Sequence, residues 1–363
     1  MCVIDNLRLR ESVGIILHDH GVEFFKTNIR ESLSLKMNFP DIVNLLKRFD
    51  GKTSVKQIAK DYGSIDVQQL ATLAKHLKEQ FVLIEQNIVY PIDVIQKNLR
   101  LINLLEDYFH SSSDVLDAIK RLKNVTVMIV GLGAVGSYIA AYLAKSNVGN
   151  LVLVDNDQVD LSNLHRQYYF ENDIGLKKAD ALKEELKSIS PDINISIISK
   201  FLTNDFFETT DIPCNLNLII NCSDEPNVDF TSRIIATYAM KHKIPHIIGG
   251  GYNLHLTLIG QTIIPFESAC FECFNTSLTK INEYDLKNVK ALYRENRKLG
   301  SFAPLSGIAA SLAALDAFKI LIRRYDTLQN VNKRIEFNVQ DFSFNSIKIH
   351  RDPECRWCRE YDE

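Results

Sequence analysis

Apolar and polar positions divide the chain into two stretches of different rhythm. In the first, Val13 to Leu17 and Val22 to Phe25 flank His18-Asp19-His20-Gly21, the pattern of a β-hairpin. Ile42, Val43, Leu45, Leu46 and Phe49 then follow helical spacing and stop at Asp50-Gly51. Ser54 with Gln57 forms a capping-box pattern ahead of Val55, Ile58, Ala59 and Tyr62, and Gly63 supplies the stop. Asp66 with Gln69 starts a third helix carrying Leu70, Leu73 and Leu77 on one face, and Val82-Leu83-Ile84 closes the unit as a strand. Hairpin, three helices and strand make a winged-helix-like domain over residues 1–90, with residues 91–122 as a helical linker. From Val125 the rhythm becomes strand–helix alternation. Strands are expected at Val125 to Val130, Leu151 to Val154, Ile193 to Ile198 and Leu218 to Ile220, with a helix over Lys177 to Ser188. Residues 123–363 therefore read as an α/β domain with a mostly parallel, Rossmann-like sheet.

Composition narrows the class. The 363 residues exceed a typical single core and fit two domains. Hydrophobic residues at 46 % and charged residues at 24 % suit a soluble globular protein, and the net charge of −3 asks for neither nucleic acid nor an anionic membrane. A winged-helix pattern raises the question of DNA, but residues 1–90 hold 12 Lys/Arg against 11 Asp/Glu, without the basic excess of a DNA reader. Asp5, Arg8, Arg10 and Glu11 interrupt any signal-like apolar run. Val125 to Ala144 is uncharged and long enough to span a bilayer, yet its three spaced glycines favour strand, turn and helix. Seven cysteines, four of them in two C-x-x-C pairs, point to a reducing cytoplasm and a metal site rather than disulfides.

The chemistry starts at Gly131-Leu132-Gly133-Ala134-Val135-Gly136, which follows a strand and opens a helix. Such glycines allow a tight turn, close approach of backbone to phosphate, and close helix–strand packing. Asp155, 24 residues beyond Gly131 at the end of the second strand, is placed to accept from a ribose hydroxyl pair. Alone, this pattern serves an NAD-dependent dehydrogenase equally well. Cys270 and Cys273 with Cys355 and Cys358 form a closed four-thiolate set suited to structural Zn²⁺, clipping the C-terminal tail onto the domain.

The segment after Asp155 separates the two readings. Asp155-Asn156-Asp157, then Ser162-Asn163-Leu164-His165-Arg166-Gln167, then Asp173-Ile174-Gly175-Leu176-Lys177-Lys178, then Asn221-Cys222-Ser223-Asp224 resemble, in order, the motifs of the ThiF/MoeB/ubiquitin-activating superfamily. The resemblance covers about residues 125–358. It implies an E1-like adenylation domain, ATP and Mg²⁺ as cofactors, and AMP-forming activation of a carboxylate. It assigns Asp155, Asp157 and Asn163 to the nucleotide, Arg166 and Lys178 to the phosphate charge, and Asp224 to Mg²⁺. Adenylation builds charge on the α-phosphate and its leaving group, so fixed cations and hard oxygen ligands are what the step needs. An arginine from before the domain often reaches the partner subunit's ATP site in this family. Arg100 is the best-placed match, and a homodimer is implied.

Two departures refine the expectation. Between Cys273 and Cys355 there is no cysteine to carry a thioester, and Cys214 and Cys222 are expected to pack as small apolar residues. The first domain, with Phe49-Asp50-Gly51-Lys52-Thr53 before its second helix, resembles PqqD-like leader-peptide recognition domains. Those take an extended peptide along a strand edge, expected here near Val22 to Phe25. Ser301-Phe302-Ala303-Pro304-Leu305 resembles a stretch in the maturation enzymes of microcin C-type and pantocin-type peptide antibiotics. The resemblance thus implies a ribosomal precursor peptide as partner, a glutamate side chain as the activated carboxylate, and cyclisation or condensation of the core. The alternative is a non-catalytic ThiF-like scaffold that binds a leader and delivers the precursor to another enzyme.

Overall fold

Caps and apolar spacing build the N-terminal elements much as expected. Ser54 accepts from the Gln57 N–H at 3.2 Å and caps α2 (Val55–Tyr62), which Gly63 ends with φ 62°. Asp66 accepts from the N–H groups of Gln68 and Gln69 and caps α3 (Val67–Glu79). The computed structural model describes residues 6–19, 21–36, 41–248, 251–253, 256–258, 260–282 and 300–360, and the chain divides into two units, Met1–Lys120 and Arg121–Glu363. The first unit also holds β1 (Leu7–Leu9), β2 (Val13–His18), β3 (Gly21–Lys26), β4 (Glu31–Lys36), α1 (Ile42–Lys47), β5 (Leu83–Glu85), α4 (Ile92–Glu106) and most of α5 (Ser112–Asn124), which crosses the boundary after Lys120. Its core gathers Leu7, Phe24, Leu46, Ile58, Leu70 and Leu77, all buried.

Two expectations change here. The hairpin is a three-stranded antiparallel sheet in the order β2-β3-β4, because Ser32-Leu33-Ser34-Leu35 alternates with period two and adds a strand. β3 pairs along its whole length on both sides, so Val22 to Phe25 has no free edge, and the open edges are β2 and β4. Residues 91–120, within the stretch expected as a helical linker over 91–122, fall in the first unit. Arg8 forms an ion pair with Glu106, which also accepts from the Tyr90 hydroxyl at 2.9 Å. Arg10 donates to the carbonyls of Leu83 and Phe109, and its guanidinium lies 4.9 Å from the Phe81 ring centroid. Burial pulls the Arg10 pKa down to about 10. These buried polar contacts fix α4 and its flanking residues to the small domain.

The second unit is a Rossmann-type layer. It comprises β6 (Thr126–Val130), α6 (Gly136–Lys145), β7 (Asn150–Val154), α7 (Lys178–Ile189), β8 (Asn194–Ile198), α8 (Phe206–Thr209), β9 (Leu216–Asn221), α9 (Val228–Lys241) and β10 (His246–Ile248). β11 (Gly251–Asn253), β12 (Leu256–Leu258), β13 (Gln261–Ile263), α10 (Phe271–Asn282), α11 (Ala303–Leu321), β14 (Lys333–Asn338), β15 (Ser343–Lys348) and α12 (Arg356–Glu360) follow. The main sheet runs β13-β10-β9-β6-β7-β8, parallel except for β13, and an antiparallel sheet runs β11-β12-β14-β15. β6 is buried along its whole length, as a central parallel strand should be. The uncharged stretch Val125 to Ala144 is β6, turn and α6. Among the described residues one helix, α11, is long and apolar enough to cross a membrane, and 56 % of its apolar window is buried in the protein itself.

Candidate active site

The order of strands reverses at β6, between β7 and β9, and the glycine turn sits at its carboxyl end, where α/β sheets bind ligands. Gly131 has φ +84°, and a Cβ there would stand 2.6 Å from the Ser223 nitrogen. A Cβ on Gly136 would stand 1.9 Å from the Gly131 oxygen, so neither position admits a side chain. At Gly133 a Cβ would meet nothing closer than the Gln167 Nε2, at 4.0 Å. The bare backbone there and the amino end of α6 together suit an anion. Asp155 is tied to this turn: one carboxylate oxygen accepts from the Leu132 N–H at 2.6 Å, the other from the Asp157 N–H at 2.8 Å. Each oxygen keeps a second lone pair for a ribose hydroxyl. The Tyr169 hydroxyl donates to the Leu132 carbonyl at 2.8 Å; burial first, then the charges of Asp155, Asp173 and Asp157, raise its pKa well above the usual phenol value.

The motifs after Asp155 fold back on one another. Gln158 bridges antiparallel to Lys177, and the N–H groups of Val159 and Gly175 bond to the carbonyls of Leu176 and Val159. This brings Asp157 beside Lys178. The Lys178 ammonium, buried at the start of α7, donates to the Asp157 carboxylate at 2.8 Å. A buried ammonium needs such a counter-charge. Asn163 uses its side-chain oxygen to accept from the Asp160 N–H at 3.1 Å, closing a reciprocal cap with Asp160. Arg166 is partly buried and donates to the Ser162 carbonyl at 2.8 Å; among the described residues no carboxylate pairs with it.

At the end of β9, Asn221 braces the turn, donating to the hydroxyls of Thr231 and Ser232 and accepting from the Ser223 N–H. Asp224 follows with an exposed side chain. The Cys222 thiol is pushed up to about 12, by burial and then by the charge of Asp224, so at neutral pH it is a protonated, poor nucleophile. Cys214 is exposed rather than packed, because it lies in the loop before β9 and not in the strand. Arg100 lies exposed on α4, in the first unit, and is not brought together with these residues by contacts inside the second. Ser137, Tyr169 and Gln167 were not assigned from sequence. Gln167 closes the Asn163-to-Gln167 motif and was legible there; the other two are visible only through their contacts.

The four cysteines converge. Cys270 and Cys273 sit at the start of α10, and Cys355 and Cys358 at the start of α12. All are buried, with sulfur atoms within 4.8 Å of one another and neighbouring pairs at 3.5, 3.7 and 3.8 Å. A tetrahedron of sulfurs about 2.3 Å from a central Zn²⁺ has edges of about 3.8 Å, so the donor set fits. The Asp352 N–H donates to the Cys273 sulfur at 3.3 Å. Hydrogen bonding with Cys270 and Cys273 pushes the Cys358 thiol below its usual range, and hydrogen bonding within the same cluster pushes Cys270 above its own.

The ThiF family profile matches residues 110–357. Molybdopterin-synthase adenylyltransferase of Escherichia coli (strain K12) is 30 % identical over 246 residues, 67 % of this chain and 90 % of that protein. The crystal structure of E. coli MccB with ATP superposes with a TM-score of 0.76 at 23 % identity, covering 97 % of this chain and 99 % of MccB. MccB has also been solved, described as a microcin C7 biosynthetic enzyme, in complex with N-formylated MccA. PaaA superposes with a TM-score of 0.70 at 22 % identity over 94 % of this chain and 99 % of its own. The chain belongs to the ThiF family and is an ATP-dependent adenylating enzyme of the E1-like superfamily.

Proposed function

We propose that this enzyme adenylates a carboxylate, a glutamate side chain, on a ribosomally made precursor peptide, and that an internal nucleophile then displaces AMP to cyclise or condense the core. The observation that carries this reading is the likeness to MccB across 97 % of the chain, which takes in the N-terminal unit as well as the ThiF domain. In the reaction, Asp155 holds the ribose and the glycine turn cradles phosphate. Arg166 and Lys178 offset charge on the transferring group, and Asp224 with Asp157 supplies oxygen ligands for Mg²⁺. The inert Cys222 thiol supports direct transfer without a thioester. Zn²⁺ in the four-cysteine cluster supplies folding energy, not chemistry. The protein acts in the cytoplasm as a homodimer in which Arg100 serves the partner's site.

The N-terminal unit holds the leader. Because β3 is paired on both sides, the leader adds to the free edge of β4. Leu33 and Leu35 of β4 and Leu73 of α3 pack on the same core, and a groove of about 450 Å³ is lined by Gln68, Gln69, Thr72, Leu73 and His76. The test is purified protein with ATP, Mg²⁺ and candidate precursor peptides. AMP and a dehydrated peptide product support the reading; leader binding without any AMP formation defeats it.

A further inference from the structure

Both C-x-x-C pairs hold the same arginine. Arg233 of α9 forms an ion pair with Glu272, and its guanidinium carbon lies 5.3 Å from the Phe271 ring centroid and 5.7 Å from that of Trp357. Phe271 and Glu272 are the residues between Cys270 and Cys273, and Trp357 lies between Cys355 and Cys358. The two ring centroids are 6.1 Å apart. These groups meet around one guanidinium only while the two cysteine pairs are held together.

The same helix holds the turn at the end of β9. The Thr231 hydroxyl donates to the Ser223 carbonyl at 2.7 Å, and Asn221 donates to the hydroxyls of Thr231 and Ser232 at 3.0 and 3.2 Å. Asn221, Thr231 and Ser232 are all buried. Ser223 precedes Asp224, and its nitrogen is the atom a Cβ on Gly131 would strike. Ser232 and Arg233 are adjacent, so the residue bonded to the turn and the residue bonded to the cluster move together. Half of the Arg233 side chain is exposed. An exposed ion pair adds little stability, whereas a planar guanidinium set against a carboxylate and two rings is fixed in direction.

We propose that Arg233 is a positioning residue of the adenylation reaction: through α9 it ties the placement of the Asp224 turn to closure of the four-cysteine cluster. A coupling free energy then links the two sites, and each responds to what the other holds. The inference rests on the readings of Asp224 as an Mg²⁺ ligand and of the cysteines as a zinc site.

The test uses the full chain as purified, with Arg233→Ala, Arg233→Lys, Glu272→Gln and Asp224→Asn. Calorimetry gives ATP affinity with and without Mg²⁺, and a chromophoric chelator gives the rate of zinc release with and without Mg·ATP. In the wild type, Mg²⁺ is expected to tighten ATP binding and Mg·ATP to slow zinc release, each about fivefold, the lower end of usual couplings. Arg233→Ala should lose both effects while keeping its Mg²⁺-free ATP affinity. Arg233→Lys, which keeps the charge, should restore part of each, and Glu272→Gln, which keeps both rings, should lose part. Equal weakening of ATP with and without Mg²⁺, or a lower unfolding midpoint with both effects intact, overturns the proposal in favour of a packing role. The supporting readings fail separately, and either failure takes the proposal with it. A wild type without zinc defeats the cluster, and an Asp224→Asn protein whose ATP affinity still responds to Mg²⁺ defeats the magnesium site.

Discussion

The glycine turn and the four-cysteine cluster belong to the same unit and are built on opposite principles. At the cluster every donor is a protein atom, all four are buried, and the sulfurs already stand at the separations a tetrahedral ion requires. At the turn, protein groups satisfy only part of each functional residue's capacity: Asp155 uses one lone pair per oxygen, Arg166 meets the Ser162 carbonyl and the His165 ring through one of its nitrogens, and Gln167 leaves its oxygen unpartnered. A closed set of ligands stores folding energy; an incomplete set awaits a ligand. The difference fits the structural role proposed for one and the chemistry proposed for the other, and it forecasts how each responds to loss of a single group.

The largest effect belongs to the cluster. Cys270→Ser or strong chelation should remove one metal ion per chain and unfold the second unit, since structural zinc contributes on the order of 10 kcal/mol in small systems, comparable with the whole stability of a domain. Metal analysis with thermal unfolding checks it. A variant that is folded, metal-free and fully active would erase the contrast.

At the turn the response should be kinetic. Arg166→Ala, Lys178→Ala and Asp224→Asn are expected to lower peptide-dependent pyrophosphate–ATP exchange roughly 10²–10³-fold, about 2.7–4 kcal/mol of barrier, with unfolding midpoints little changed for the more exposed Arg166 and Asp224. Lys178→Ala also strands Asp157, whose carboxylate is half exposed and rehydrates, so its stability cost should be small beside its rate cost. Normal exchange in Lys178→Ala would remove that residue from the site.

What sequence could and could not convey follows the same division. Caps at Ser54 and Asp66, the strand–turn–helix at Gly131 and the two C-x-x-C pairs are local patterns, and local hydrogen-bonding rules fix them. β4 was missed because Ser32 to Leu35 alternates over only four residues between polar ends, and one missed strand moved the open edge from β3 to β4. The helices of 91–120 read as a linker because what docks them is buried charge, Arg8 with Glu106 and Arg10 with two carbonyls, which apolar periodicity does not register. Ser137 and Ser306 act through contacts 31 and 140 residues away, beyond any spacing rule.

The relocated edge gives a smaller prediction. Successive backbone N–H groups along a strand point to opposite sides, so proline placed in turn at Ser32, Leu33 and Ser34 should separate two behaviours. Where the N–H faces the free edge, leader affinity should fall about tenfold for each bond lost with the fold intact. Where it faces β3, the unit should lose stability. Unchanged peptide affinity at every position would move the leader off β4.

The smallest effect sharpens the comparison within one residue type. Cys270, Cys273, Cys355 and Cys358 are gathered in one buried cluster, whereas Cys222 stands alone beside Asp224, where burial and a neighbouring negative charge both disfavour the thiolate and hold its pKa near 12. Raising the pKa keeps the thiol protonated across the whole working range of pH. Attack on an acyl-adenylate from Cys222 would need a thiolate the site discourages. Cys222→Ala should therefore leave exchange and product formation intact, and alkylation at pH 8 should label the exposed Cys214 well before Cys222. Mass spectrometry of the labelled protein reads the order directly. Rapid labelling of Cys222, or a peptide thioester trapped on it, would show that the charge beside it is overcome during turnover and that acyl transfer passes through sulfur.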